Sequence, residues 1–411
     1  MQGASLVHGP TTTDGFEARF GASEREREAR GTLYTPQEIL RQPTTWVTTF
    51  RICSGRRNEL RHFLQESGLG AGGQERERPM VYLVGAGTSD YIGRALISLL
   101  RRLWRCEVWA VPSTDLLTNF HDLVFPDRPY LWVSFSRSGD SSEGLAVLQA
   151  AIERYRNVRH VLVTCNPKGR MAAVCEKAPD RARALVLDDT ANDRGLAMTN
   201  SYTNLVVAGQ CLAHLFSFKD YEELFPTLLQ AGTRFLERAQ EAALSIAKRD
   251  FSRACFVGSG TLRAVAQESA LKLTELTAGK IQAMSESALG LRHGPMSAVD
   301  ADTLFVSLFS RDPQRRNYEM DLLEEIDKKR LGKARVAVAP DSSGALHRLA
   351  DFLLDLETPN LADEYRAPLD VMLAQWLGVF CSLRLGLKPD CPSPDGVISR
   401  VVSHVKIYPE V

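Results

Sequence analysis

The amino-acid sequence predicts an α/β protein with two domains, each a doubly wound parallel sheet flanked by helices. Two observations predict this class: short apolar runs alternate with helical patterns, and the alternation restarts after a long helical stretch near the middle of the chain. Short apolar runs between turns are typical of parallel strands that helices cover on both faces. The length of 411 residues fits two or three domains.

The elements follow in order along the chain. Residues 1–35 are polar and carry no apolar stripe, so we expect weak order there. Residues 36–79 are predicted as a helical lead-in, 80–220 as the first sheet domain, 221–252 as a helical connector, and 253–411 as the second sheet domain with a C-terminal tail. Strands are expected at 80–85, 106–111, 130–135, 158–163 and 184–187, and again at 254–257, 303–309, 334–339 and 352–356.

An internal repeat supports the two-domain interpretation. Val84-Gly-Ala-Gly-Thr88 recurs as Val257-Gly-Ser-Gly-Thr261, and Phe135-Ser-Arg137 recurs as Phe309-Ser-Arg311. The distance along the chain from the first glycine of the glycine motif to the phenylalanine of the second motif is 50 residues in the first copy and 51 in the second. Two matches at nearly equal spacing indicate a duplication.

The composition excludes several classes of partner. Lys and Arg number 50 and Asp and Glu also number 50, so no basic surplus is left for nucleic acid or an anionic membrane. No apolar run reaches the roughly 18 residues that cross a bilayer, and the start is polar, so we expect a cytoplasmic protein. The eight cysteines and eight histidines show no metal-ligand spacing, which predicts that no metal is bound. We expect reduced thiols because the compartment is the cytoplasm, and we expect no cofactor.

A hydroxyl-rich segment, Ser136-Arg-Ser-Gly-Asp-Ser-Ser142, is predicted at a junction between a strand and a helix. Hydroxyls, a glycine and the free N–H groups of a helix start suit a phosphate group. The alternative is a serine-rich helix cap followed by an ordinary turn. Gly85-Ala-Gly-Thr-Ser89 is a second such junction, but it lacks the third glycine of the dinucleotide fingerprint, so a nicotinamide cofactor is not expected.

The second half contributes titratable side chains. Lys272 and Glu275 lie three positions apart on a predicted helix, a spacing most often found in an ion pair on a solvated surface. His293 stands beside glycine and proline in a tight turn, where an exposed loop residue is equally plausible. Neither feature is decisive alone.

Together, these residues resemble two families of tandem sugar isomerase (SIS) domain proteins. One is the isomerase half of glucosamine-6-phosphate synthase. The closer one is the galactosamine-6-phosphate deaminase/isomerase family, also called tagatose-6-phosphate ketose/aldose isomerases. The resemblance runs from about Thr35 to Tyr408 through seven motifs, at 85–89, 111–115, 134–139, 193–199, 268–280, 290–295 and 399–402.

The resemblance implies a role for each matching residue. The phosphate and sugar loop would comprise Ser89, Ser136, Arg137, Ser138 and Ser141, and the segment bordering the substrate would include Leu196 and Ala197. The resemblance further implies that Glu275 moves a proton between C1 and C2, that His293 opens the sugar ring from a neighbouring subunit, and that Lys272 serves the sugar hydroxyls.

Two departures from the synthase matter. The synthase has a catalytic lysine near its C-terminus, whereas the matching stretch here offers Arg400, as the deaminase family does. The synthase also has a glutaminase domain with a cysteine after the initiator methionine. Here Gln2 holds that position, and the roughly 80 residues before the first sheet are too few for such a domain.

The expected function is therefore deaminating aldose-ketose isomerisation of an amino-hexose 6-phosphate, with galactosamine 6-phosphate giving tagatose 6-phosphate and ammonia. We expect a homodimer or larger assembly with shared sites. Two alternatives stay open: a simple ketose/aldose isomerase of a non-amino hexose phosphate, and a non-catalytic regulator that senses a sugar phosphate. The helical stretch at 35–67 is too short for the DNA-binding domain that such regulators append.

Overall fold

The computed structural model describes residues 13–70, 78–342, 344–393, 395–398, 400–402 and 405–408. Two five-stranded sheets form its frame, and every strand pair is parallel. This confirms the predicted fold class.

The first sheet has the strand order β2-β1-β3-β4-β5. Its strands are β1 (Met80–Gly85), β2 (Val108–Pro112), β3 (Tyr130–Ser136), β4 (Val158–Thr164) and β5 (Ala182–Val186). β1 and β3 are buried along their whole length, as expected for central strands of a covered parallel sheet. From β1 the chain runs to β2 at one edge of the sheet, whereas from β3 it runs to β4 and β5 at the other edge. The turns after the paired strands β1 and β3 therefore lie on either side of a topological switch point.

The second sheet repeats this arrangement with the order β10-β9-β8-β6-β7. Its strands are β6 (Arg253–Gly258), β7 (Gln282–Glu286), β8 (Thr303–Leu308), β9 (Ala334–Ala339) and β10 (Phe352–Asp355). Read from the opposite edge, the order matches that of the first sheet strand for strand. The duplication predicted from the repeated motifs is therefore visible in the topology.

The strand β7 has no counterpart among the predicted strands. Its residues are half-buried or exposed because β7 lies at the edge of the sheet, and its sequence, Gln-Ala-Met-Ser-Glu, contains no apolar run. Such an edge strand has no periodic pattern that the sequence could reveal.

Sixteen α-helices are assigned among the described residues. Those before and around the first sheet are α1 (Thr13–Phe20), α2 (Glu24–Arg30), α3 (Thr35–Leu40), α4 (Gln42–Glu66), α5 (Thr88–Trp104), α6 (Ser113–Thr118), α7 (Phe120–Leu123), α8 (Ser142–Arg154) and α9 (Arg170–Lys177). The rest are α10 (Asn200–Ala213), α11 (Phe218–Ala247), α12 (Thr261–Leu276), α13 (Pro313–Lys328), α14 (Leu346–Leu349), α15 (Ala367–Asp370) and α16 (Met372–Arg384).

The expectation of weak order in residues 1–35 is wrong for the part that the structure describes. The helix α2 begins with a capping box, in which Ser23 and Glu26 each bond the other's backbone N–H. Phe20, at the end of α1, is fully buried and stacks on Trp376 and Phe380 at centroid distances of 6.0 and 5.9 Å. The burial of Phe20 and the capping box of α2 therefore stabilise a segment whose overall composition is polar. Residues 1–12 of this segment lie outside the described residues.

The two sheets share one hydrophobic core. A continuous cluster of buried side chains includes Leu83 of β1, Phe256 of β6 and Tyr202 of the central helix α10. The helix α5 follows β1, and the helix α12 follows β6, the first strand of the second sheet. These two helices pack against each other between the sheets. This contact brings the turn after β1 close to residues of α12.

Candidate active site

A small pocket of about 150 Å³ lies at the carboxyl ends of β1 and β3, and serine hydroxyls line it. All five of the predicted phosphate-loop residues line it: Ser89, Ser136, Arg137, Ser138 and Ser141. The Ser136 Oγ accepts the backbone N–H of Gly139 at 3.0 Å, and the Ser138 Oγ accepts that of Asp140 at 3.2 Å. Since a hydroxyl also carries one donor hydrogen, both remain able to donate to an anion. We call this pocket the hydroxyl pocket.

The helix α8 begins at the hydroxyl pocket. Its first residue, Ser142, and the preceding Ser141 place the positive end of the helix dipole against the pocket. Gly139 in the turn adopts a φ of 63°, a left-handed conformation that glycine tolerates without strain. The turn therefore folds tightly enough to converge its hydroxyls and the helix start on one point.

A larger pocket of about 630 Å³ adjoins the hydroxyl pocket, and we call it the sugar pocket. The two share lining residues, namely Ala86, Arg137, Met198, Arg400 and Val402. Glu275 and Thr274 of α12 line the far side of the sugar pocket. A volume in this range is typical of a small-molecule site.

Arg137 joins three segments of the pocket wall. The residue is 6% exposed, and its guanidinium donates to the carbonyl oxygens of Gly195 at 3.4 Å, Leu196 at 3.2 Å and Arg400 at 2.8 Å. Burial, together with the nearby Arg400 cation, lowers the pKa of Arg137. Arg137 thus lies at the pocket, and these three hydrogen bonds all go to the protein backbone.

Lys272 is fully buried, so the explanation as a surface ion pair with Glu275 is wrong. Its Nζ lies 2.5 Å from Glu275 Oε2, 3.3 Å from Glu268 Oε1 and 3.0 Å from the hydroxyl of Thr88. The pKa of Lys272 is raised: burial lowers it, but the two carboxylates outweigh that effect. Burial, and then the Glu275 charge, raises the pKa of Glu268 to about 8 against the opposing pull of Lys272.

The lysine thus holds Glu275 from behind. Lys272 is absent from the lining of both pockets, whereas the side chain of Glu275 is 29% exposed and lines the sugar pocket. Thr88 and Glu268 complete the arrangement, and sequence reasoning did not single out either one. Both lay inside quoted motifs, but nothing in the spacing indicated that they would meet across the two domains.

Of the remaining predicted site residues, some line a pocket and others do not. Leu196 lines the sugar pocket, while Ala197 is fully buried and does not line either pocket. Arg400 lines both pockets, and its guanidinium donates to Asn192 Oδ1 at 2.8 Å. His293 is exposed on a turn and does not line either of these two pockets. Ser399, the first residue of the last quoted motif, lies outside the described residues.

The corresponding turn of the second sheet is already occupied by carboxylates. The backbone N–H of Ser310 donates to Glu319 at 2.7 Å, that of Arg311 donates to Asp363 at 2.9 Å, and the Ser310 hydroxyl also donates to Asp363. Both acidic side chains are buried. Internal carboxylates therefore take up the donors that would otherwise face an anion, whereas the matching turn of the first sheet lines the hydroxyl pocket.

Two kinds of feature are absent from the described part of the chain. No three or more His, Cys, Asp or Glu side chains there are arranged to hold a metal ion. No helix within the same residues combines the length and apolar character needed to span a membrane.

The fold and the site together identify the class of protein: it contains two sheets of the SIS type, and the hydroxyl pocket lies at the first of them. The SIS domain model matches residues 246–378. An AgaS protein of Streptomyces coelicolor is 37% identical over 383 residues, covering 92% of this chain and 95% of that protein. The D-galactosamine-6-phosphate deaminase AgaS of Escherichia coli is 34% identical over 388 residues, covering 93% and 97%. The chain therefore belongs to the AgaS family.

Solved structures agree with this assignment. The tagatose-6-phosphate ketose/aldose isomerase of Escherichia coli superposes with a TM-score of 0.81 at 31% identity, covering 91% of this chain and 96% of that one. The C-terminal domain of glucosamine-fructose-6-phosphate aminotransferase from Francisella tularensis has a TM-score of 0.70 at 18% identity, covering 86% and 96%. The second likeness concerns the fold alone.

Proposed function

We propose that this protein is a deaminating aldose-ketose isomerase that converts galactosamine 6-phosphate to tagatose 6-phosphate and ammonia in the cytoplasm. The observation that carries the proposal is the placement of Glu275 in a pocket continuous with the hydroxyl pocket. A sugar phosphate anchored by its phosphate at one end would extend its carbon chain toward this carboxylate. The name of the Escherichia coli relative supports the choice of substrate.

The phosphate would bind in the hydroxyl pocket. The hydroxyls of Ser136 and Ser138, together with the start of α8, offer neutral donors to a dianion. Arg400 lines both pockets and supplies a cationic guanidinium at their junction. Ser89 and Ser141 complete the ring of hydroxyls.

Glu275 would then transfer the proton. As a base it takes the proton from C2 of the open-chain aldose, giving an enolamine, and as an acid it returns a proton to C1. The result is a ketimine at C2. Water adds to the C=N bond, and ammonia leaves with the ketose phosphate as the other product. Lys272, 2.5 Å behind the carboxylate, fixes its orientation.

Ring opening requires a further acid-base group, and we assign it to His293 of a second subunit. An imidazole can both deliver and accept a proton near neutral pH. The exposure of His293 and its absence from the pockets of its own subunit support a contribution across a subunit boundary. The active form would then be a homodimer or a larger assembly.

The experiment that tests this function offers the purified protein galactosamine 6-phosphate, glucosamine 6-phosphate, and tagatose 6-phosphate with and without ammonium. Released ammonia and ketose are measured in parallel. The proposal predicts ammonia and tagatose 6-phosphate in equal amounts from the first substrate. The second candidate function is simple isomerisation of a non-amino hexose phosphate, which the name of the Escherichia coli structure favours. It would convert tagatose 6-phosphate without ammonium and release no ammonia from any substrate.

A further inference from the structure

A buried carboxylate of α3, Glu38, lies behind the pocket wall at Leu196. Glu38 is 2% exposed. Its Oε1 accepts the backbone N–H of Arg194 at 2.5 Å, and both of its oxygens lie 3.3 Å from the backbone nitrogen of Gly195. The nearest cation, Arg41, is 3.9 Å away and 38% exposed, so it gives little compensation. The main partners of this carboxylate are therefore two peptide groups of the pocket segment.

The same segment, residues 194–196, is held from its other sides as well. Arg137 donates to the carbonyl oxygens of Gly195 and Leu196. The N–H of Leu196 donates to the carbonyl oxygen of Asp390 at 2.9 Å. With Glu38 on the N–H groups of Arg194 and Gly195, all three backbone N–H groups of the segment and the carbonyl oxygens of Gly195 and Leu196 have hydrogen-bond partners.

Gly195 fits against α3 without space to spare. A Cβ at this position would lie 2.5 Å from the Thr35 hydroxyl and 3.1 Å from the Glu38 carboxylate. Contacts closer than 3.0 Å force one of the two groups to move. The distance between α3 and the pocket segment is thus set by the glycine and by the Glu38 hydrogen bonds together.

We propose that Glu38 is a positioning residue, which fixes Leu196 across the sugar pocket from Glu275 and so sets where the sugar carbons lie. This inference rests on the proposed function, since its consequence is a change in how the amino sugar phosphate binds. A wall displaced by about 1 Å can cost up to about 100-fold in rate or affinity. The serines of the hydroxyl pocket lie on a different turn, to which Glu38 makes no hydrogen bond, so phosphate binding should depend on Glu38 far less than sugar binding does.

The test compares three variants. Glu38→Gln keeps the shape but leaves a single acceptor, Oε1, for the two backbone N–H groups that the carboxylate holds with both of its oxygens. Gly195→Ala pushes the segment away from α3 while retaining Glu38. The matched control is Glu319→Gln, because Glu319 is also buried, also accepts a backbone N–H, and lines neither pocket.

We expect Glu38→Gln and Gly195→Ala to raise the KM for galactosamine 6-phosphate about 10- to 100-fold, and to lower kcat less than they raise KM. The inhibition constant of inorganic phosphate should stay within about twofold of wild type, because the hydroxyl pocket is unchanged. Glu319→Gln should leave both the KM and the inhibition constant of phosphate within about twofold of wild type. This should hold even if its melting temperature falls as far as that of Glu38→Gln.

Two results would overturn the inference: a KM in folded Glu38→Gln no higher than in Glu319→Gln, or a phosphate affinity that falls in step with KM. If Glu38→Gln does not fold, Gly195→Ala decides by the same criteria. If the wild type turns over none of the offered sugar phosphates, the proposed function fails. Deuterium uptake at residues 193–198 then decides: faster uptake in Glu38→Gln than in Glu319→Gln supports the positioning role, and equal uptake refutes it.

Discussion

The ammonium of Lys272 lies 2.5 Å from the carboxylate of Glu275, and it is the buried member of the pair. Because of this arrangement the glutamate faces the cavity, while the lysine lies within the protein. Glu268 stands on the other side of the lysine at 3.3 Å. One cation therefore serves two carboxylates, and only one of the carboxylates lines the pocket.

We expect the Lys272→Met substitution to leave two carboxylates close together without a cation. Breaking a buried ion pair by removing one partner costs about 3–5 kcal/mol. The unfolding free energy should fall by that order, as measured by denaturant titration, and turnover should be lost. The double variant Glu268→Gln/Lys272→Met serves as the control and should recover part of the lost stability. A double variant less stable than Lys272→Met alone would contradict the assigned pairing.

Glu275→Gln should lose about 10²- to 10⁴-fold in kcat, because the amide cannot accept the proton from C2. Its inhibition by inorganic phosphate should match wild type, since the hydroxyl pocket lies at the other end of the cavity. Steady-state kinetics and phosphate inhibition measure the two effects separately. A fully active variant would remove Glu275 from the proposed mechanism.

Ser136→Ala together with Ser138→Ala should raise the KM of the sugar phosphate and weaken inhibition by inorganic phosphate in parallel. Both hydroxyls would bind the ground state and the transition state alike, so kcat should change little. Ser310→Ala in the second sheet is the control, because its hydroxyl is bonded internally to Asp363. An unchanged KM in the double serine variant would show that the phosphate binds elsewhere.

Mixed subunits test the assignment of His293 across a subunit boundary. His293→Ala and Glu275→Gln should each be inactive on the cyclic sugar when expressed alone. In a dimer with shared sites, equal and random mixing of the two should restore about a quarter of the wild-type activity, since half of the dimers contain one intact site. Mixtures as inactive as the separate variants would place both residues in a site within one subunit.

Buried carboxylates also predict a pH dependence of stability. Burial raises the pKa of Glu319 to about 7 from its ordinary 4.5. Its protonated form therefore favours the folded state, and this contribution is present below pH 4.5 and lost as the pH rises through 7. Glu319→Gln should show a shallower decline in unfolding free energy across this window than wild type. If the unfolding free energies of wild type and Glu319→Gln fall in parallel across this pH range, the raised pKa of Glu319 is contradicted.

The sequence allowed the central strands and the turns that follow them to be predicted, because apolar runs and repeated glycine motifs are local features. It could not reveal β7, whose edge position leaves it without an apolar run. Nor could spacing alone show which side of α12 is buried, so the pairing of Lys272 with Glu268 and Thr88 emerged only from the packing of α12 on α5. The role of Glu38 likewise depends on a contact with a segment more than 150 residues away.

The measurement that tests the central claim most directly follows galactosamine 6-phosphate in deuterated water, with ammonia and sugar products quantified together. We predict equal amounts of ammonia and tagatose 6-phosphate, with deuterium at C1 of the ketose where the proton held by Glu275 exchanges with solvent, and loss of both products in Glu275→Gln. Consumption of tagatose 6-phosphate without ammonium, and no ammonia from galactosamine 6-phosphate, would contradict the account.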